Sequence, residues 1–349
     1  MSSRLRERTF ARMLRLTSAD LGTAELIDEA AELLATAIPY DSACWHTTDP
    51  DSLIETGFRA YDMPPPDAGV ARFAYLPQDF NSFTTLAAGA RHSGVLSEVT
   101  GGRLDRSIRY RELLRPNSMQ GELRTALVID GACWGNISLF RAAPHDFTAD
   151  DRDFAHDLAG VLGRGLRTAG VRARSAADSE VRWPGVLVLD ANGQVTTISA
   201  PARAWLADLG APEAPEHDAL PFAMLALAER ARTDGDVATR VRAASGRWVS
   251  LHASATGAQV SFVLQQANPS TITPLLYAAF GLTAREREIT DLVVAGCSTG
   301  EIAEQLFISP LTVQAHLTAV FTKTGIRSRR KLAVLLRGDA GAGNTTFLG

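Results

Sequence analysis

The stretch LFISPLTVQAHLTAVFTKTGIRSRR, Leu306 to Arg330, decides how the C-terminal part of the chain is read. Ser309 followed by Pro310 is a helix start. The hydroxyl accepts from an amide of the first turn, and proline is tolerated where no intrahelical donor is needed. Gly325 is the matching stop. Between them Val313, Leu317, Val320 and Phe321 recur at helical spacing, which leaves Leu311, Thr312, Gln314, Ala315, Thr318 and Thr322 on the outer faces. From Gln305 to Gly338 there is no Asp or Glu, yet Lys323, Arg327, Arg329, Arg330, Lys331 and Arg337 fall in that window. The whole chain has 35 Lys and Arg against 39 Asp and Glu, a formal net charge of -4. The acid-free strip is therefore local, and both lysines of the chain lie inside it.

Upstream of this stretch the helix signals continue. Thr283 to Glu286 (TARE) and Ser298 to Glu301 (STGE) are capping boxes, with Gly296 as the stop between them. Ser328 caps a last helix through Arg337. Four short helices follow, with a tight break at Phe307 to Ser309 between the second and third. Ile302, Ala303 and Leu306 join Val313, Leu317, Val320 and Phe321 as the inner face. Two helices across a short break, the second flanked by basic residues, is the helix-turn-helix plan. Duplex DNA carries about one negative charge per 1.7 Å of axis, so a helix that docks on it does better without carboxylates.

The pieces LTAREREI, EIAEQL, ISPLTVQAHL and KTGIRSR resemble the LuxR-type DNA-binding domain, also seen in NarL/FixJ response regulators. The resemblance implies base readout by Gln314, Ala315, Thr318 and Leu311. It implies phosphate contacts from Thr312, His316, Lys323, Arg327 and Arg329. Two positions depart from the family pattern: Gly300 stands where a lysine is frequent, and Leu311 where a polar residue is usual. None of the base-reading positions is charged, so readout rests on Gln314, which suits adenine, and on Leu311 or Ala315 against a thymine methyl.

The remaining length is too great for one ordinary core. Hydrophobic content of 46% with 21% charged residues is globular composition. Residues 1–38 read as a helix closed by Pro39. SACWHT and Leu53 to Arg59 read as strands, with a breaker at Met63 to Asp67. LRTALVID and ACWGNISLFR read as a hairpin about Asp130-Gly131. Asp146 to Arg174 is helical, with Phe154, Leu158, Val161, Leu162, Leu166 and Val171 in a stripe. GVLVLD, a turn at Asn192-Gly193, two helices (Pro201 to Leu209 and Pro221 to Arg232) and three further strands to Gln266 complete a second mixed segment.

The first segment resembles a GAF-type sensor, on SACWHT, SIRYRELLRP and the LRTALVIDGACWGNISLFR hairpin. The second resembles a PAS-type fold, on GVLVLDANGQVTTISAPARAWL and SGRWVSLHAS. The expected organisation is thus two α+β sensor modules, GAF-like and PAS-like, followed by an all-α four-helix helix-turn-helix domain. The boundaries are 1–145 for the GAF-like domain, 146–180 for a helical linker that can pair with its twin in a dimer, and 181–267 for the PAS-like domain. The LuxR-type domain spans 268–340, and 341–349 is a flexible tail.

Other inputs to such a tail are excluded. A phospho-acceptor receiver needs a lysine by its acidic pocket, and none occurs before Lys323. The signature of an acyl-homoserine-lactone module is not evident, and there is no G-x-x-x-x-G-K phosphate loop. Gly163 and Gly165 lie in a helix pattern, so they are not a dinucleotide fingerprint. No H-E-x-x-H and no Ser-His-Asp signature stands out, so no catalytic residue is assigned. Cys44, Cys133 and Cys297 are far apart, so neither a zinc site nor a dithiol is expected. His252 alone does not make a haem ligand, so no cofactor and no metal are expected. The candidate lining of a ligand pocket in the first module is Trp45, His46, Phe58, Tyr61, Phe73, Phe80, Phe83, Tyr110 and Trp134. The combined expectation is a cytoplasmic, homodimeric one-component transcription regulator. It binds double-stranded DNA and a small-molecule effector, with RNA polymerase as the partner that the resemblance implies. The second reading keeps the tail and makes the front modules ligand-free dimerisation and protein-docking units. No apolar run is long enough to span a membrane.

Overall fold

The computed structural model describes residues 3–63, 70, 71, 73, 79–172, 182–210 and 220–337. The expected tail at 341–349, part of the expected linker and most of the breaker after Met63 lie outside them. Two compact units emerge. One holds residues up to Ala173 and from Trp183 to Gln265, and the other continues from Gln266.

The first unit opens with two helices where the sequence reading has one: α1 (Ser3–Leu16) and α2 (Thr23–Ala37). The break has a local cause. The hydroxyls of Thr17 and Ser18 both bond back to the Leu14 carbonyl, and Gly22 then serves as N-cap of α2. Strands β1 (Ser42–Thr48) and β2 (Glu55–Tyr61) follow, then α3 (Phe83–Ala88), β3 (Ser93–Val95) and α4 (Leu96–Thr100). Three short irregular turns of helix between Leu104 and Asn117 lead to β4 (Met119–Ile129) and β5 (Ala132–Ala142). Asp130 and Gly131 both have positive φ, 51° and 78°, as the expected two-residue hairpin turn requires.

The sheet order is β2-β1-β5-β4-β3. One face is covered by α1, α2 and the long α5 (Ala149–Arg172). The expected linker helix thus turns its stripe, Phe154, Leu158, Leu162 and Leu166, into its own module, where all four are buried. Gly163 and Gly165 explain how it comes so close. A Cβ on Gly163 would meet the Leu127 carbonyl oxygen at 2.8 Å, and one on Gly165 would meet Thr17 at 2.7 Å. The basic face of α1 is also engaged there, since Arg6 bonds the Asp150 carbonyl and the Asp151 carboxylate at 2.7 and 2.6 Å.

The second sheet is built from β6 (Gly185–Leu189), β7 (Val195–Ile198), β8 (Val237–Arg242), β9 (Trp248–Thr256) and β10 (Gln259–Gln266). Helices α6 (Ala200–Asp208) and α7 (Phe222–Asp234) lie between β7 and β8 in sequence. Its order, β7-β6-β10-β9-β8, repeats that of the first sheet strand for strand. Burial alternates along β9 and β10, so one face packs and the other meets water. Leu187, Leu251, Phe262, Trp205 and Met224 are fully buried in the resulting core.

The two modules, expected as separate domains, are fastened to each other within this unit. Asp49, after β1, accepts from the Arg240 backbone at 3.0 Å and from its guanidinium at 2.9 and 2.6 Å. Ser52 donates to Thr239 at 3.2 Å, and Ile54 is counted in the second module's core.

The second unit is helical: α8 (Pro269–Ala279), α9 (Ala284–Val294), α10 (Thr299–Gln305), α11 (Pro310–Thr324) and α12 (Arg329–Arg337). The last four are those expected. The sequence reading leaves out α8, although Asn268 followed by Pro269 spells its start and the Asn268 side chain accepts from Ser270. Both capping boxes form reciprocally, and Ser309 accepts from Thr312.

Candidate nucleic-acid interface and ligand site

In the second unit Ile302, Ala303, Val313, Leu317, Val320, Leu332 and Leu336 form the core. Phe307 takes positive φ, 53°, and sets the sharp turn between α10 and α11. Because the inner face of α11 is fixed, its outer face is fixed too. Gln314, Ala315 and Thr318 are exposed, and Leu311 is 76% exposed. Phe307, at 94% exposure, stands one turn before Leu311. Phe307 and Leu311 thus leave two large apolar side chains open to solvent at the start of this helix face. The candidate readers thus share one solvent-facing surface with no carboxylate in the helix that carries it.

The candidate phosphate contacts divide. Arg327 is exposed, and Thr312 and His316 are half-buried. Thr312 is held by the N-cap, its amide donating to the Ser309 hydroxyl at 3.1 Å. Lys323 instead reaches inward, to the Gly281 carbonyl at 3.0 Å and the Glu286 carboxylate at 2.6 Å. Burial alone would raise the Glu286 carboxyl, but the bonds from Lys323 and from Thr283 outweigh it and hold the group below its ordinary range. Arg329 also turns inward, clamping the start of α10 through the Cys297 carbonyl at 3.1 Å and the Thr299 hydroxyl at 2.7 Å. Both side chains hold helices together as they stand. Motif position alone does not show this, because their partners lie some 30 to 40 residues upstream.

The sequence reading finds no G-x-S-x-G, yet Gly296 to Gly300 (GCSTG) has that spacing. Its Ser298 is the N-cap of α10, accepting from Glu301, and the turn joins two helices with no strand before it. The nucleophile-elbow context is absent there.

Residues 281–336 match the model described as bacterial regulatory proteins, luxR family. The second unit carries a LuxR-type helix-turn-helix domain. A putative HTH-type transcriptional regulator of Mycobacterium bovis is 51% identical over 51 residues, 15% of this chain and 6% of that protein. The oxygen regulatory protein NreC of Staphylococcus aureus is 47% identical over 51 residues, 15% of this chain and 24% of the relative. The chain thus spans a small fraction of these relatives, and the shared part is the LuxR-type domain. Among solved structures, a GAF domain from an Acinetobacter phosphoenolpyruvate-protein phosphotransferase aligns with 52% of this chain and all of that one. The identity is 12% and the TM-score 0.35, too low to assign the front modules.

The first module's interior is unusual for its charge. Strand alternation puts His46, Phe58, Asn136, Ser138, Glu122 and Arg124 on the sheet face away from α2 and α5. Two guanidinium groups are buried there, and they are treated differently. Arg109 donates to both Glu122 oxygens at 2.7 Å, to Asp79 at 3.1 Å and to the Phe80 carbonyl at 3.0 Å. Asp79 is further held by the Arg109 amide at 2.9 Å and the Ser107 hydroxyl at 3.0 Å. Burial pushes both carboxyls up, yet Arg109 wins and holds both below the usual range. Arg124, 6% exposed, has no hydrogen-bond partner at Nε or Nη1. Its Nε lies 3.3 Å from Glu122, whose oxygens already serve Arg109. Burial, with Arg109 beside it, lowers the Arg124 guanidinium to about 10.

Of the candidate pocket residues, His46, Phe58 and Phe83 come together. The His46 ring lies 5.0 Å from Phe58 and 6.5 Å from Phe83. Phe80 and Tyr110 pack in the same cluster as Phe58. Phe73 and Trp134 are buried. Trp45 and Tyr61 stand on the opposite face of the sheet: Tyr61 donates to Asp28 of α2 at 2.6 Å, and Trp45 alternates with His46. Phe222, the first residue of α7, closes over His46 and Phe58 at 5.2 Å from each. Burial holds the His46 imidazole below its ordinary value, Glu55 opposing and Arg124 assisting. Among the described residues no cluster of His, Cys, Asp and Glu is suited to a metal. No described helix is long and apolar enough to cross a membrane.

Proposed function

We propose that this chain is a one-component, DNA-binding transcription regulator. The observation that carries the reading is the outer face of α11: Leu311, Gln314, Ala315 and Thr318 stand in solvent on a helix free of Asp and Glu, inside the segment that matches the luxR family model. In this reading the helix enters the major groove of double-stranded DNA. Gln314 pairs with an adenine edge, and Leu311 and Ala315 meet thymine methyls. Arg327, Thr312 and His316 contact phosphates. Two copies bind two half-sites, and RNA polymerase is the partner through which the chain activates transcription. The first module, in a GAF-like role, takes the controlling small molecule, and the second, PAS-like module receives the change through Phe222 and Asp49.

The test is selection of bound sequences from a random duplex pool by the full chain. Gln314→Ala should lose preference at one base pair, worth about 1–3 kcal/mol. Arg327→Ala should weaken binding to all sequences and lower the salt slope by about one. Lys323→Ala, by contrast, should cost the folded domain about 1–3 kcal/mol, because it leaves buried Glu286 with the Thr283 amide but no cation. A pool with no enriched sequence, at low salt and with cell extract added, would reject the reading. Comparison of native and denatured masses addresses the effector: extra mass lost on denaturation identifies a bound small molecule.

One observation favours a second reading, in which the front modules are docking units without a ligand. Phe222 already covers His46 and Phe58 from within the chain. Protein-dependent DNA binding with no response to small molecules would support it.

A further inference from the structure

Arg124 sits one strand from the edge in a row that crosses the first sheet. The row runs Ala60, Cys44, Ser138, Arg124, Gly94, each paired with the next across adjacent strands. Its neighbours in that row, Ser138 and Gly94, are small, and on its own strand Glu122 touches the guanidinium only at Nε, at 3.3 Å. The Phe83 ring lies under it, 4.4 Å from Cζ, and covers one side of its plane. The edge of the group, where its N–H bonds point, is what lacks partners at Nε and Nη1. Beside it Asn81 lies on Gly94, where a Cβ would collide with its side-chain amide. The Nδ2 of Asn81 is likewise buried and unbonded. The nearby acceptors are engaged elsewhere: Glu122 by Arg109, and Glu55 by Asn136 at 3.5 Å and His46 at 3.7 Å.

A fully satisfied guanidinium and an unsatisfied one therefore lie side by side in one interior. Arg109 explains the packing of the segment from Asp79 to Leu114. Arg124 adds to that network only an ion-pair contact with Glu122 at 3.3 Å, and its unmade bonds are costly in a buried position. Buried donors left without hydrogen bonds on neighbouring side chains call for an acceptor brought from outside, and a planar carboxylate fits the guanidinium fork.

We propose that the first module binds a small molecule carrying a carboxylate, gripped by Arg124 and Asn81, with an apolar body directed along the neighbouring row toward His46 and Phe58. The inference rests on the reading that this module takes the effector, and names its chemistry. The body would lie where Phe222 now covers His46 and Phe58, so binding displaces a residue of the second module. The signal then passes to α7 without any change at Arg109.

The experiment uses the full chain and a panel of aromatic monocarboxylates, headed by benzoate, phenylacetate and salicylate, each beside its neutral primary amide. Binding is read by calorimetry and by the shift in melting temperature. At least one carboxylate should bind tenfold or more tighter than its amide, and Arg124→Met should remove that difference. Ligand-free Arg124→Met should melt at or above the temperature of the parent chain, since methionine keeps the volume, removes buried donors without hydrogen bonds and leaves Glu122 on Arg109. Three results would overturn the proposal: no carboxylate binds, amides bind as well as acids, or ligand-free Arg124→Met melts more than five degrees lower. Amide binding that survives Arg124→Met would leave an effector site in this module with a different chemistry. Loss of stability without any binding by acids or amides would count against the effector site as well.

Discussion

The first and second sheets share one strand order and keep their interiors by different means. In the first, β4 and β5 are buried on both faces for most of their length. Helices α1, α2 and α5 cover one side, and the segment from Asp79 to Leu114 covers the other. Positions that would face water in a one-sided sheet, Glu122 and Arg124 among them, are therefore inside. In the second sheet the corresponding alternation ends in solvent. His252 is exposed, with Ser250 bonded to it at 2.9 Å. The buried core there is aliphatic and aromatic, and among the described residues it holds no buried carboxylate. Strand order thus does not dictate core chemistry. What decides it is whether the second face is covered, since covering that face turns ordinary surface charges into a buried network that must be paired.

The largest effect that would break this comparison comes from Arg109→Ala. It leaves buried Asp79 without its cation and Glu122 with only the contact to Arg124, and breaking a buried pair costs about 3–5 kcal/mol. The loss should appear in hydrogen exchange as lowered protection of β4 and of the Asp79 to Leu114 segment. Leu251→Ala, a truncation at a fully buried position of the second core, should cost about 3 kcal/mol. The two variants should differ in pH dependence more than in size. Asp79 and Glu122 have folded values depressed below their unfolded ones of about 4. Their stabilisation is complete above that range and is lost as the pH falls through the depressed folded values. Acidification should therefore loosen the first module before the second, and Arg109→Ala should abolish that order. Equal loss of protection in both sheets on acidification would mean that the ionic interior is not what separates them.

Legibility in the sequence follows the same division. The second sheet reads directly, because WVSLHAS and QVSFVLQ alternate with a period of two, and the structure places strands there. The LuxR-type domain reads better still, since its starts are local spellings, two of hydroxyl, spacer and glutamate and one of serine followed by proline, that need only neighbours to form. The first module's interior is harder. Glu122 and Arg124 stand two apart within a hairpin strand, which alone is the signature of a water-facing side. Only the distant segment carrying Asp79, Asn81 and Arg109 reveals that they are buried. The inward bonds of Lys323 and Arg329 are hidden for the same reason: motif position is local, and the partners that hold them, Glu286, Cys297 and Thr299, are remote. A single helix over residues 1–38 was expected because apolar spacing persists across Thr17 to Gly22, while the hydroxyl back-bonds that end α1 leave no mark in periodicity.

The smallest effect concerns the fastening between the two sheets. Asp49 is 4% exposed and takes three hydrogen bonds from Arg240, and Thr239 lies 3.4 Å away. Asp49→Asn keeps the shape and removes the charge, which should cost about 1.5–3 kcal/mol, the range for hydrogen bonds to an ionised group. The cost is modest, yet its location makes it informative. Ile54 and Phe222 still join the modules by apolar contact, so neither sheet should unfold in this variant. What should change is cooperativity: exchange protection of β8, set by Arg240 and Thr239, should fall separately from that of β4. If the ion pair is what makes the differently built interiors behave as one unit, denaturant curves that coincide in the parent chain should part in Asp49→Asn. If the curves stay together, the coupling runs through Phe222 over His46 and Phe58, and Phe222→Ala becomes the variant that separates them.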